Sequence, residues 1–150
     1  MGTYLVRGGK RIEGEFAVRG SKNAALPILA ACVLAADEVV LENLPQIRDV
    51  SQTLEILREL GCSVTLTGRT AGIDSREMQA IALCGEAVRK MRSSILFLGA
   101  MLGRSGAGRI AYPGGCAIGK RPIDLHLAAF RRMGVSIAEE NEILDCRAER

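Results

Sequence analysis

The chain has 150 residues, 48% of them apolar and 25% charged, with a formal net charge of +3, a balance that fits one globular domain with a real core. No run of 18 apolar residues occurs and the opening MGTYLVRGGK lacks a signal-peptide core, so no membrane partner and no secretory leader are expected and the cytoplasm is the expected location. With no tryptophan, two tyrosines, three phenylalanines and dispersed charges, nucleic acid is not an expected partner; a few cations gathered around a small anion fit better.

In chain order, YLVRGGKRIEGEFAVRG (4–20) reads as a separate two-stranded hairpin. A helix follows over about 24–35, capped by Ser21 or Asn23, with Pro27 required to lie in its first turn or to kink it. Its run ALPILAACVLA is apolar all round, as is SILFLGAML (94–102), which predicts two helices buried on every side. Residues 48–60 and 122–133 predict amphipathic helices. Val50, Leu54 and Leu57 form the stripe of one, Ile123, Leu127 and Phe130 that of the other, and Pro122 is read as a first helical residue. Gly61 and Gly134 read as left-handed ends to these two helices. CSVTL (62–66) predicts a strand leading through TGRTAG to IDS, and 135–146 a hairpin about Asn141.

The elements fall into an internal repeat. Shifted by 70, residues 21–43 lie on 91–113 and Lys22 on Arg92. Shifted by 73, residues 48–64 lie on 121–137, with Arg48 on Arg121 and Gly61 on Gly134. The second copy therefore carries three extra residues, placed in the loop 114–120 of PGGCAIGKR. The reading divides the chain into 1–20, 21–88 and 89–150. Two copies with all-apolar helices lack enough neighbours to bury them, so an incomplete part of a larger protein is expected.

Lys22 and Arg92 stand at equivalent helix starts, where a cation opposes the helix dipole; they either hold an anion such as phosphate or are plain surface charge. Cys116 lies after Gly114 and Gly115 and near Lys120, Arg121 and Arg92. It is either a thiol activated by their field or a loop cysteine with no role. Cys32, in a helix, and Cys62, Cys84 and Cys146, in strands, read as core residues. The cysteine spacing and the single histidine give no metal site, and no cofactor is expected. His126 reads as a helix-face residue packing near Ile123 and Phe130, with a dyad to Cys116 as the sharper option. Asp124 either complements the helix dipole or accepts a sugar hydroxyl. The stretch GGCAIG is neither a dinucleotide fingerprint nor a P-loop.

SKNAALP, MRSSI and PGGCAIGKRPIDLH together closely resemble the UDP-N-acetylglucosamine 1-carboxyvinyltransferases, of the enolpyruvyl transferase family, along the whole chain. The resemblance implies an α/β fold, an inside-out α/β barrel of βαβαββ repeats with helices buried and sheets outside. This chain would supply about two of six repeats, 21–88 and 89–150. It would also supply an amino-terminal hairpin, 1–20, that belongs to the other lobe. The implied reaction moves the enolpyruvyl group of phosphoenolpyruvate to the 3′-hydroxyl of UDP-N-acetylglucosamine and releases phosphate, the first committed step of peptidoglycan synthesis. Lys22, Asn23 and Arg121 would contact phosphoenolpyruvate. Arg92, Arg121, Pro122, Ile123, Asp124 and Leu125 would contact the nucleotide sugar. Cys116 would be the general acid, able to form a covalent adduct with the substrate, and the target of fosfomycin. The aspartate that takes the hydroxyl proton and the facing arginines would come from the missing carboxy-terminal lobe, so the 150 residues alone are expected to be inactive. Two alternatives remain: a non-catalytic anion-binding fragment or paralogue, and the related transferase acting on shikimate 3-phosphate, whose family lacks the PGGC loop.

Overall fold

A computed structural model describes residues 3–79, 82–114 and 122–149. Five elements recur in the same order in the two halves of the chain. The first unit runs α1 (Lys22–Ala35), β1 (Glu38–Leu41), α2 (Arg48–Glu59), β2 (Ser63–Thr67) and β3 (Thr70–Asp74). Next come β4 (Ala82–Leu83), the short helix α3 (Glu86–Lys90) and a 3-10 turn, Arg92–Ser94. They lead into α4 (Ile95–Ser105), β5 (Ala107–Ala111), α5 (Asp124–Arg132), β6 (Val135–Glu140) and β7 (Ile143–Ala148).

Each unit makes its own sheet. The first has the order β1-β3-β2 and the second β4-β5-β7-β6, so β3 and β7 hold the same central place between antiparallel neighbours. β4 joins β5 in parallel, so residues 82–83, which the repeat reading counts with the first copy, pair in the second sheet. Alternation sets the inner faces: Ala71 and Ile73 of β3, and Leu144 and Cys146 of β7, are fully buried. The β2–β3 turn is tighter than expected from TGRTAG. Only Gly68 and Arg69 form it, because Thr70 already pairs with Thr67. The β6–β7 hairpin turns at Asn141 and Glu142, both with positive φ.

The helices lie between the sheets. α1 packs on both α2 and α4, α4 on β5 and β7, and α5 on β6. The stripe of α2 is buried as its period predicts, and Gly61 follows its end at φ 89, as Gly134 follows α5 at φ 82. Proline stands in the second turn of α1 rather than the first. The helix continues through it, at the cost of the amide that would have bonded the Asn23 carbonyl.

Two expectations fail. Residues 3–20 form no strand, and Tyr4 and Ile12 are 95% and 96% exposed. A lone two-stranded ribbon is marginal in water, and this segment has no sheet or helix covering it. Helix α1 is also not buried on every side: Ile28 is 49% and Leu34 51% exposed, because α2 and α4 cover only its inner face. α4, backed by its own sheet as well as by α1, buries Phe97, Leu98 and Met101.

Candidate active site

Ser21 precedes α1 in an extended conformation and makes no side-chain cap bond, so the first-turn amides of α1 are not closed off by it. Lys22 is the first helical residue, a poor place for a cation by dipole alone. The unfavourable charge is answered by Asp49, whose carboxylate pairs with the Lys22 ammonium. Asp49 is the second residue of α2, where an acid is favoured. Arg48 and Asn23 beside this pair are both exposed.

One turn along α2 from Asp49 lies Thr53, which is buried. Its hydroxyl donates to the Asp49 carbonyl at 2.8 Å and lies 3.7 Å from the Met91 sulfur. Met91 directly precedes Arg92, the first residue of the 3-10 turn. That turn is fixed by buried Ser94, whose hydroxyl is 2.7 Å from the Met91 carbonyl and 3.1 Å from that of Val88. Residues 49 and 53 of one helix face therefore touch Lys22 on one side and the neighbour of Arg92 on the other. Lys22 and the neighbour of Arg92 are thus tied to the first two turns of α2.

The segment with Cys116 starts from the same neighbourhood. Gly114 packs so closely on the carboxyl end of α3 that a Cβ there would lie 1.4 Å from the Arg89 carbonyl oxygen. Only glycine fits. Cys116 and Arg121 themselves lie outside the described residues, as do Lys120 and Gly115. Beyond them, Pro122 is exposed and is not a first helical residue. Ile123 takes φ −109 and ψ 10 as its side chain enters the core, and α5 starts only at Asp124. Asp124 and Leu125 are exposed, Leu125 by 78%, whereas Ile123 is 3% exposed. His126 is exposed rather than packed on Phe130; that ring instead lies beside Gly99 of α4.

Three other thiols are unsuited to nucleophilic or acid work. Burial pushes the Cys32 thiol up, and pushes Cys62 and Cys146 up to about 11. Cys62 and Cys84 flank strands rather than lying within them, and Cys84 is half-buried. No group of three or more metal-binding side chains occurs among the described residues. No helix there is long and apolar enough to cross a membrane.

Asp49 and Thr53 escaped the sequence reading. The one available signal was electrostatic: a lysine at a helix start calls for an acid, but nothing local says which.

Cations at the starts of two neighbouring helical elements are able to hold an anion. The sequence model of the family described as EPSP synthase (3-phosphoshikimate 1-carboxyvinyltransferase) matches residues 6–147. The chain belongs to the EPSP synthase family. Within this family, a UDP-N-acetylglucosamine 1-carboxyvinyltransferase of Symbiobacterium thermophilum is 48% identical over 141 residues, 91% of this chain and 32% of that protein. One of Caldanaerobacter subterraneus is 42% identical over 150 residues, all of this chain and 36% of that protein. The chain thus spans about a third of the length of these relatives. Among solved structures, the enolpyruvyl transferase NikO from Streptomyces tendae matches with TM-score 0.77 and 25% identity, over 95% of this chain and 32% of that one. An EPSP synthase from Acinetobacter baumannii matches with TM-score 0.67 at 19% identity, over 90% of this chain and 32% of that one, a likeness of fold. The expected fold class stands: this member of the EPSP synthase family is a mixed α/β protein with two sheets, built like enolpyruvyl transferases.

Proposed function

We propose that this chain is the amino-terminal part of a UDP-N-acetylglucosamine 1-carboxyvinyltransferase. The whole enzyme moves the enolpyruvyl group of phosphoenolpyruvate onto the 3′-hydroxyl of UDP-N-acetylglucosamine and releases phosphate, in the cytoplasm, as the first committed step of peptidoglycan synthesis. The observation that supports the reading is the Lys22–Asp49 pair at the start of α2, with Thr53 one turn on against Met91, the residue before Arg92, and Gly114 packed on the end of α3 where the segment that holds Cys116 begins. The PGGC stretch and the names of the relatives at 42% and 48% identity favour the nucleotide sugar over shikimate 3-phosphate.

The roles are those that the family resemblance implies, and the charges of the residues suit them. Lys22, Asn23 and Arg121 hold phosphoenolpyruvate, whose phosphate and carboxylate suit ammonium and guanidinium donors. Arg92, Arg121, Pro122, Asp124 and Leu125 hold the nucleotide sugar, and Ile123 supports them from the core. The sugar oxygen bonds to C2 of phosphoenolpyruvate, its proton going to a base outside these residues. The Cys116 thiol gives its proton to C3. Phosphate then leaves C2 as C3 loses a proton, which restores the methylene. Residues 21–88 and 89–150 act as two repeats of one lobe, and 1–20 joins the other. The facing lobe supplies the remaining arginines and the base, so the 150 residues alone turn over no substrate.

Fosfomycin tests the reading. In the complete protein it labels Cys116 ahead of Cys84, with Cys32, Cys62 and Cys146 slower still, as followed by peptide mass spectrometry. Equal labelling of Cys116 and Cys84 removes the special reactivity assigned to Cys116. Turnover by the isolated chain removes the need for a facing lobe.

A further inference from the structure

The Lys22–Asp49 pair has no counterpart among the described residues of the second repeat. The position aligned with Asp49 is Pro122, and Arg92 makes no ion pair among the described residues. Stability explains the pair poorly. The lysine side chain is 54% exposed, and an exposed ion pair contributes little to stability. Asp49 is the more confined partner, 30% exposed, held in the first turn of α2 with its carbonyl bonded to Thr53. An acid fixed to a helix, gripping a long cationic side chain, acts as a post for that side chain.

An ammonium has three donors. One on Asp49 leaves two for a ligand. Without the post, the four-carbon stem regains rotamer freedom, which an arriving anion would have to offset. The next turn of α2 touches Met91 through Thr53, so the helix that carries the post is itself packed in place.

We infer that Asp49 is a positioning residue: it aims the Lys22 ammonium at the phosphoryl group of phosphoenolpyruvate. This rests on the proposed function, and it makes an acid part of an anion site. The opposite role, a counter-charge that phosphate must displace, gives the opposite result in the same experiment.

The test is a double-variant cycle in the complete protein, with phosphoenolpyruvate affinity read by calorimetry and kcat and KM by phosphate release. D49N, nearly isosteric, is expected to weaken phosphoenolpyruvate binding about tenfold while leaving UDP-N-acetylglucosamine binding unchanged, and to cost less than about twofold where Lys22 is already alanine. D49E is expected to recover most of the affinity. A D49N protein that binds as well as the parent, or tighter, overturns the inference, as does an equal loss with and without the lysine. If D49N proves unstable, the Lys22 ammonium signal in proton–nitrogen NMR of D49E decides: loss of the pair together with unchanged binding also overturns it. If the unchanged protein binds no phosphoenolpyruvate, the proposed function falls and this inference with it. If it binds and only D49N fails to respond, the inference falls alone.

Discussion

The two repeats share the order of five elements and the antiparallel order of three strands, yet aligned positions do different work. Ile28 of α1 aligns with Leu98 of α4; the first is 49% exposed and the second fully buried. Lys22 aligns with Arg92; the first is held by an acid on α2 and the second is not. The loop after β5 is longer than its counterpart after β1 and brings the cysteine. The scaffold is common to both copies, and the candidate site residues fall where the copies diverge. What decides the fate of an aligned residue is its neighbour: α4 has a sheet behind it, whereas the outer face of α1 has none in this chain.

The sharpest way to break that comparison is by truncation of the aligned pair. Leu98→Ala empties a closed pocket and is expected to cost about 2–5 kcal/mol. Ile28→Ala is expected to cost under about 1 kcal/mol, and chemical denaturation of the two variants measures the gap. Equal losses would mean that α1 is as enclosed as α4.

Thiol chemistry gives the next effect. At pH 8, Cys62 of the first unit and Cys146 of the second, with pKa near 11, should be alkylated about a hundredfold more slowly than in the unfolded chain. Timed iodoacetamide labelling with peptide mapping reads both, and fast labelling of one alone would show that its unit opens locally.

The two hairpin turns differ more subtly. At the position where the first turn has Arg69, the second has Glu142 at φ 59, a left-handed conformation that a side chain disfavours. Glu142→Gly is expected to raise stability by about 0.5–1 kcal/mol, even though it removes an exposed ion pair to Arg89; thermal melting checks the sign. The smallest effect concerns the end of β3. Arg76 hydrogen-bonds the Asp74 carboxylate and holds its pKa down to about 2 from 3.8. The pair therefore favours the fold above the unfolded value of 3.8, and that contribution fades as pH falls through about 2. NMR titration of Asp74 should show its pKa return toward 3.8 in Arg76→Ala.

Much of this was legible in the residues. The stripe of α2, the glycines after α2 and α5, the hairpin at Asn141 and the repeat offsets all depend on local period or backbone preference, which a sequence carries directly. The failures share another cause. The all-apolar composition of α1 reports what could be buried, not what is there to bury it. The hairpin at 4–20 needed a partner surface. Pro122 suits a first helical position, but Ile123 was drawn into the core and moved the helix start. Asp49 lies 27 residues from Lys22 in the chain, and only the packing of α1 on α2 brings them together. Of the candidate site, the residue types were readable and their connections were not.

The first sheet draws all of its strands from residues 38–74, and β4 already belongs to the second. A chain made from its amino end can therefore close the first sheet before the second has been synthesised. Helix α1 must then wait, one apolar face open, until α4 arrives. The interval between these two events is when the growing chain has most to gain from a chaperone and is most exposed to pairing with the wrong neighbour.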